Sequence, residues 1–251
     1  MRAYIQTCKL SDSLSENAQD ARYGFLQRGY EIVDFSADDL YSGKLDYVLQ
    51  HEADDMVLYG GCGTVREAVR RAGAPDPVNM DLPESLRAFW GRGVTQSTMG
   101  EIRHLVSTES QLLPVHVKPL NAQKLFTGLV VREFKNLIPS ASVPAETPVL
   151  VQQCVNFLSE WRAYVLRGTI INVGNYRGDP LMFPDRDTMQ AGLAAYTECP
   201  VFCAMDWGVT DDGRTLLVEV NDGHSLGNYS LRCNEYVTGI IARWRQMLGL
   251  P

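Results

Sequence analysis

Hydrophobic and polar positions follow different periods in the two parts of the chain. In the first 75 residues, short strand-like runs are separated by stretches whose apolar residues recur at helical spacing, such as Ala18, Ala21 and Phe25. This alternation of strand and helix predicts a small parallel α/β sheet. The predicted strands cover 2–6, 30–35 and 55–59, and the predicted helices cover 15–28 and 65–71.

A glycine-rich turn, 60–63, joins the third predicted strand to the following helix. Backbone N–H groups at the N-terminus of a helix bind anions. The turn nevertheless lacks the Gly-Lys-Ser/Thr ending of a P-loop and the G-x-G-x-x-G of a dinucleotide fold. A tight turn that lines a cleft is therefore favoured over a nucleotide site in its own right.

Strands dominate from Pro114 onwards and predict an antiparallel α+β body. We expect two units, an N-terminal α/β lobe at 1–100 and a second domain at 101–251. The predicted strands cover 115–119, 128–133, 149–153, 161–167, 169–173, 201–207 and 215–221. Helices are predicted at 84–91, 98–107 and 235–248, and a loop at 138–148.

The most informative segment is a hairpin around Asp212-Gly213, because this dipeptide favours a two-residue type I′ turn. Counting outwards from such a turn places Asp206 directly across from Glu219. Side chains alternate along a strand, so Glu219 and Asn221 share one face, and Leu216, Val218 and Val220 pack on the other.

Two carboxylates that face each other repel unless a cation lies between them. Carboxylate and amide oxygens are the ligands that Mg²⁺ prefers. Asp206, Glu219 and Asn221 therefore indicate a magnesium site, and a solvated polar face on a surface hairpin is the alternative.

Composition and charge narrow the class of protein. The chain has 251 residues, 45% of them hydrophobic, and a formal net charge of −7. Such a charge repels polyanions, so neither nucleic acid nor an anionic membrane is an expected partner. The longest apolar stretch, 147–165, is interrupted by polar and charged residues and is not expected to span a membrane. With no secretory signal and six scattered cysteines, a cytoplasmic location is expected.

Taken in order, several stretches resemble the ATP-grasp superfamily, and within it the R-two-K (R2K) clade. The resemblance spans about residues 110–230 and rests on order and spacing. The matching stretches are Val117-Lys118-Pro119, the runs 149–155 and 159–165, Asp206-Trp207-Gly208, and the run 219–227 that begins Glu219-Val220-Asn221. The resemblance implies an ATP-grasp fold whose antiparallel sheets enclose a nucleotide cleft, after a small parallel α/β lobe.

The resemblance also implies roles for individual residues. Metal binding is assigned to Asp206, Glu219 and Asn221, and catalysis to Arg162 and Lys124. The nucleotide contacts are assigned to Lys118 and Lys124 at the phosphates, to Gln152, Gln153, Cys154 and Val155 at the adenine hinge, and to Glu160 at the ribose.

Each assignment has a simpler alternative. Both lysines are compatible with ordinary surface positions, and Arg162 is compatible with a structural ion pair to Glu160 or another acid. His224 follows the metal strand, where it is either a contact for the acceptor or incidental. The segment 176–179 is interpreted either as a loop near the nucleotide or as a plain turn before Pro180.

The function that the resemblance implies is an ATP- and Mg²⁺-dependent carboxylate–amine ligase of the peptide type, acting through an acylphosphate. Its partners are ATP and small-molecule or peptide carboxylates and amines. The alternative is an inactive ATP-binding sensor or interaction protein that retains the fold. Two departures from the family pattern motivate this alternative: the loop 120–128 is not rich in glycine, and Gln152 and Gln153 stand where an acid is frequent.

Overall fold

The computed structural model describes residues 1–7, 15–108, 110–120 and 125–251. Lys124 lies outside the described residues. The architecture combines one parallel and two antiparallel sheets, and the predicted fold class is confirmed.

The N-terminal unit is the predicted three-stranded parallel sheet, in the order β2-β1-β3, flanked by helices. Ser15 and Ser36 begin its first two helices, because their side-chain oxygens accept hydrogen bonds from backbone N–H groups of the first turn. The elements are β1 (Arg2–Gln6), α1 (Glu16–Gln27), β2 (Glu31–Phe35), α2 (Ala37–Tyr41), α3 (Asp46–His51), β3 (Met56–Tyr59) and α4 (Cys62–Arg71).

Two four-stranded antiparallel sheets follow among the described residues, in the orders β4-β7-β5-β6 and β11-β10-β8-β9. The first sheet consists of β4 (Val94–Thr98), β5 (Val115–Pro119), β6 (Leu129–Val131) and β7 (Pro148–Gln153). The second consists of β8 (Phe157–Leu166), β9 (Thr169–Gly178), β10 (Phe202–Thr210) and β11 (Thr215–Asp222).

Three further helices are α5 (Met99–Thr108), α6 (Arg186–Ala195) and α7 (Cys233–Met247). Several elements differ from the prediction. The helix predicted at 84–91 is a 3₁₀ helix, Glu84–Phe89, and the loop predicted at 138–148 begins inside another, Phe134–Ser140. The elements β4, α2, α3 and α6 were not predicted.

One hydrophobic core joins the N-terminal sheet to the C-terminal helix. Helix α7 packs against α1 and β3, and its Tyr236, Val237 and Ile240 belong to the same buried cluster as Ile5 and Phe25. The two antiparallel sheets contribute further core clusters of their own. The first and last segments of the chain are therefore packed as one body.

Asp206 and Glu219 face each other across β10 and β11, which confirms the predicted pairing. The pairing was predicted from a two-residue turn, and the predicted length of that turn is wrong. Thr210 N–H donates to the carbonyl of Arg214 at 2.9 Å, so three residues, 211–213, form the loop. Gly213 adopts φ of 80° there, as the left-handed position of such a loop requires.

A bulge on β11 compensates for the longer turn. Asp206 pairs with Glu219 but Trp207 pairs with Leu217, so Val218 is the extra residue. Val218 therefore lines the cleft, and Leu217 packs in the core with Val220. The prediction that Val218 shares the core face with Val220 is wrong, because the bulge interrupts the alternation of side chains.

Candidate functional site

A cavity of about 450 Å³ opens between the two antiparallel sheets. Most of the residues assigned from the sequence line it: Lys118, Gln152, Gln153, Cys154, Val155, Glu160, Arg162, Asp206 and Glu219. Asn221 lines a second cavity of about 450 Å³, which shares Lys118 and Glu219 with the first. The two cavities therefore meet at this lysine and this glutamate.

Asp206, Glu219 and Asn221 form one polar cluster at the floor of the cleft. The side-chain amide of Asn221 donates to Asp206 Oδ2 at 2.9 Å and to Glu219 Oε1 at 3.1 Å. Asp206 is 1% exposed, and burial raises its pKa to about 6 despite hydrogen bonds from Arg162. Burial acts in the same direction on Glu219, but Lys118, Asn221 and Arg162 together outweigh it and lower the pKa of Glu219 below its ordinary value.

Arg162 holds Asp206 in a bidentate ion pair. Its Nε and Nη2 groups donate to the two carboxylate oxygens of Asp206 at 2.8 and 2.7 Å. Burial lowers the pKa of Arg162, but the hydrogen bonds to Asp206 and its charge, together with Tyr229 and Tyr164, outweigh this effect and raise the pKa overall. A planar guanidinium matches a carboxylate in this geometry, so the pair fixes both side chains.

Two tyrosines cover the other side of Arg162. Tyr176 and Tyr229 stack with ring centroids 5.3 Å apart. The guanidinium carbon lies 4.9 Å from the Tyr229 centroid and 5.6 Å from the Tyr176 centroid. These cation–π contacts add to the ion pair in holding the guanidinium in the cleft.

Lys118 projects from β5 to the junction of the two cavities. Its ammonium group lies 2.9 Å from Asp81 Oδ2 and 3.4 Å from Glu219 Oε2, and the residue is 8% exposed. Burial raises the pKa of Asp81. Lys118 thus places one positive charge between two acids at the point where both cavities open.

Glu160 lies on β8, two residues before Arg162, and both side chains line the same cavity. Tyr176 O–H donates to Glu160 Oε2 at 2.8 Å, and Arg177 donates to Oε1 at 2.8 Å. Tyr176 and Gly178 belong to strand β9, so neither the loop nor the plain turn considered from the sequence is correct for them, and Tyr176 lines the cavity.

The adjacent glutamines of the predicted hinge have different partners. Gln152 is buried, and its Oε1 accepts a hydrogen bond from Arg92 Nε at 2.8 Å. Gln153 is exposed, and its Oε1 accepts from the backbone N–H of Gly93 at 2.7 Å. Cys154, which follows them, is an exposed free thiol.

The structure places further residues in the cleft that the sequence argument did not select, notably Arg92, His116 and Tyr229. His116 stands two residues before Lys118 on β5, so strand alternation was a signal that pointed to it. Burial lowers its pKa, and the neighbouring Lys118 adds to this effect. Arg92 precedes the unpredicted strand β4 and had no comparable signal.

Within the described ranges, no group of three or more His, Cys, Asp and Glu side chains is arranged to hold a metal. The cluster at the cleft floor consists of two carboxylates and one amide. In the part of the chain that the structure describes, no helix has the length and apolar character needed to cross a membrane.

Several solved ligases and a synthetase have a fold similar to that of this chain. D-cycloserine synthetase DcsG matches with a TM-score of 0.62 and 14% identity, over 97% of this chain and 100% of that chain. D-alanine–D-alanine ligase from Bacillus anthracis, complexed with ATP, matches with a TM-score of 0.57 and 18% identity, over 98% and 97%. ATP-grasp ligase PsnB, complexed with a minimal precursor, matches with a TM-score of 0.54 and 14% identity, over 96% and 98%. These likenesses show the fold.

The amino-acid sequence shows the family. The model of the ATP-grasp domain, R2K clade family 2, matches residues 89–238, and the chain belongs to this family. The resemblance inferred from the motifs is thereby confirmed. No curated protein matches the chain in sequence.

Proposed function

We propose that this protein is an ATP- and Mg²⁺-dependent ligase that joins a carboxylate to an amine through an acylphosphate. The observation that carries the proposal is the cluster of Asp206, Glu219 and Asn221 at the floor of the cleft, with Lys118 and Arg162 beside it. The family and the fold neighbours supply the reaction class, since the neighbours named above are ligases and a synthetase.

The cluster suits Mg²⁺ by the chemistry of its donors. Asp206 and Glu219 offer hard carboxylate oxygens, and Asn221 offers an amide oxygen. The Asn221 amide nitrogen now donates to both acids. A rotation of this amide by half a turn would present its oxygen to a cation between the same acids. Bound there, magnesium would supply neutralisation of phosphate charge.

We assign the phosphate contacts to Lys118 and Lys124. Lys118 is supported by its place at the junction of the cavities, 3.4 Å from Glu219 Oε2. Lys124 is assigned on the resemblance alone. Arg162 neutralises Asp206 and directs its guanidinium into the cleft, where it would stabilise negative charge on the transferred phosphoryl group. Such catalysis consists mainly of positioning and charge neutralisation.

We assign the nucleoside to the end of the first cavity that lies along β7. Gln152, Gln153, Cys154 and Val155 would contact the adenine there, and Glu160 would accept hydrogen bonds from the ribose hydroxyl groups. The ties of Gln152 to Arg92 and of Glu160 to Tyr176 would hold these groups in place before the nucleotide binds.

We assign the carboxylate and amine substrates, small molecules or peptides, to the second cavity. It meets the first at Lys118 and Glu219, so a carboxylate lying there would face the terminal phosphate of ATP.

The division of the chain into an N-terminal unit at 1–100 and a second unit at 101–251 stays a proposal. Strand β4 pairs with β7 and the family match begins at residue 89, which favours a start of the second unit before residue 101.

Product formation tests the proposed reaction. We expect ADP release to rise when the protein, ATP and Mg²⁺ are mixed with a pool of amino acids or peptides, and mass spectrometry should detect an amide product. A protein that binds ATP tightly but releases no ADP with any pool would instead support an ATP-binding sensor.

A further inference from the structure

A chain of four side chains runs along the wall of the second cavity and ends in a thiol. Arg243 donates to both oxygens of Asp222, at 2.7 and 2.6 Å. Asp222 Oδ1 lies 3.0 Å from His224 Nδ1. On the far side of the ring, His224 Nε2 lies 3.4 Å from Cys62 Sγ. Cys62, Asp222 and His224 all line the cavity.

The backbone around the thiol is held from two directions. Cys62 lies within the glycine-rich turn 60–63 and is the first residue of α4. Gln6 Oε1 accepts a hydrogen bond from Gly61 N–H at 2.8 Å, and Ser225 O–H donates to the Gly60 carbonyl at 3.0 Å. The glycine-rich turn of the N-terminal unit is thus fastened to the segment that follows β11, and this contact brings the thiol to the imidazole.

The surroundings favour a thiolate at Cys62. The first turn of a helix and a neighbouring imidazolium both stabilise a cysteine anion. Burial lowers the pKa of His224, but Asp222 and Cys62 together outweigh it and raise the pKa to about 9. The order thiol, imidazole, carboxylate is that of an activated nucleophile, its base and the group that orients the base.

We propose that Cys62 is a nucleophile that accepts the acyl group from the acylphosphate and passes it, as a thioester, to the amine. This inference rests on the proposed function, because it uses the acylphosphate that the first cavity would produce. It places the thiol in the cavity whose wall includes Lys118 and Glu219, next to where the acylphosphate would form.

The chemistry balances without an oxidant or a reductant. In the resting pair the thiol proton lies on His224 Nε2, and the Cys62 thiolate attacks the carbonyl carbon of the acylphosphate. A C–S bond forms, the C–O bond to phosphate breaks, and inorganic phosphate leaves with the proton from His224. The amine then attacks the thioester, an amide C–N bond forms, and the C–S bond breaks. The proton lost by the amine goes to His224 Nε2, which restores the thiolate–imidazolium pair. Asp222 and Arg243 act as positioning residues that hold the ring.

Cys233 provides a matched control. It is also the first residue of a helix, α7, and it is half-buried, whereas Cys62 is buried. Its Sγ lies 3.7 Å from Asp20 Oδ1, and burial together with this carboxylate raises the pKa of Cys233. The control therefore shares the helix position but has a carboxylate where Cys62 has an imidazole.

Acetyl phosphate, a small acylphosphate, tests the proposal without ATP and without knowledge of the substrate. The full-length protein with Mg²⁺ and acetyl phosphate should gain one acetyl group on the peptide that contains Cys62, and hydroxylamine should remove it. Cys233→Ser should be acetylated like the wild type, and Cys62→Ser should carry no hydroxylamine-labile group. His224→Asn should slow acetylation on the order of 100-fold, the usual contribution of a general base.

Acetylation of the wild type at Cys233 as fast as at Cys62, or no labile acetyl group at Cys62, would overturn the proposal. The latter result, with a loss of stability in Cys62→Ser, would show that the thiol only ties the two segments together. ATP binding is measured separately by calorimetry, so a protein that binds Mg²⁺ and ATP but is not acetylated refutes only the thioester step.

Discussion

Arg162 and Asp206 form a buried bidentate ion pair at the floor of the cleft, with N···O distances of 2.8 and 2.7 Å. Asp206 is 1% exposed and Arg162 is 6% exposed. Removing one partner of such a pair leaves an uncompensated charge away from water. The pair therefore couples the stability of the second antiparallel sheet to the chemistry proposed for the cleft.

We predict that Arg162→Met lowers the free energy of unfolding by about 3–5 kcal/mol. The double variant Arg162→Met with Asp206→Leu should lose clearly less stability than Arg162→Met alone, because it contains no unpaired carboxylate. Urea unfolding of the wild type, both single variants and the double variant gives the coupling energy. A single variant as stable as the wild type, or losses that simply add, would contradict this role.

Arg92 ties the first antiparallel sheet to β11. It donates to the carbonyls of Trp90, Leu217 and Val218 and to Gln152 Oε1, at 2.6 to 2.9 Å. Arg92→Met should cost about 2–4 kcal/mol, because these acceptors lose a charged donor. The stability of Arg92→Lys should lie between that of the wild type and that of Arg92→Met, since an ammonium group cannot reach all four acceptors. Equal unfolding midpoints for all three proteins would show that the ties are not important.

Glu160 is the proposed ribose contact. We predict that 2′-deoxy-ATP or 3′-deoxy-ATP binds the wild type about 10-fold more weakly than ATP, the value of one hydrogen bond to a charged group. In Glu160→Gln this preference for ATP should shrink markedly. Calorimetric titration of the three nucleotides into each protein measures the affinities. Equal affinity of the wild type for all three nucleotides would place the ribose elsewhere.

His224 should make stability depend on pH. Its pKa is raised in the folded protein to about 9 from an ordinary value of 6.5. Its contribution is therefore fully present below pH 6.5 and is lost as pH rises through about 9, a change of up to about 3 kcal/mol. Urea unfolding across this range should show a steeper fall for the wild type than for His224→Gln. If the free energy of unfolding falls equally steeply with pH in both proteins, the raised pKa assigned to His224 is refuted.

Local sequence patterns were sufficient for much of the fold. The alternation of strands and helices predicted the N-terminal sheet, and strand periodicity predicted seven of the eight strands in the antiparallel sheets. Strand β4, Val94–Thr98, escaped because it is an edge strand whose place is decided by pairing with β7. The short helices α2 and α3, each with one buried residue, also gave too little signal.

The candidate site shows why register and contacts are harder to predict. Asp206 was correctly paired with Glu219, but only because the longer turn and the bulge at Val218 cancel. Tyr176 was obscured by the turn-like residues after it, although β9 runs on to Gly178 through pairing with Ser159. The partner of Arg162 was left open, since distances between strands are not written in local sequence.

Calorimetric titration of ATP in the presence of Mg²⁺ tests the central claim most directly. We predict that the wild type binds ATP and that removal of Mg²⁺ weakens binding. The double variant Glu219→Ala with Asn221→Ala should weaken it by about 2–3 kcal/mol, or roughly 30- to 150-fold in Kd. Asp212 is an exposed acid at the tip of the same hairpin, and the control variant Asp212→Asn should bind ATP like the wild type. No binding by the wild type, or equal binding by the double variant, would contradict the account.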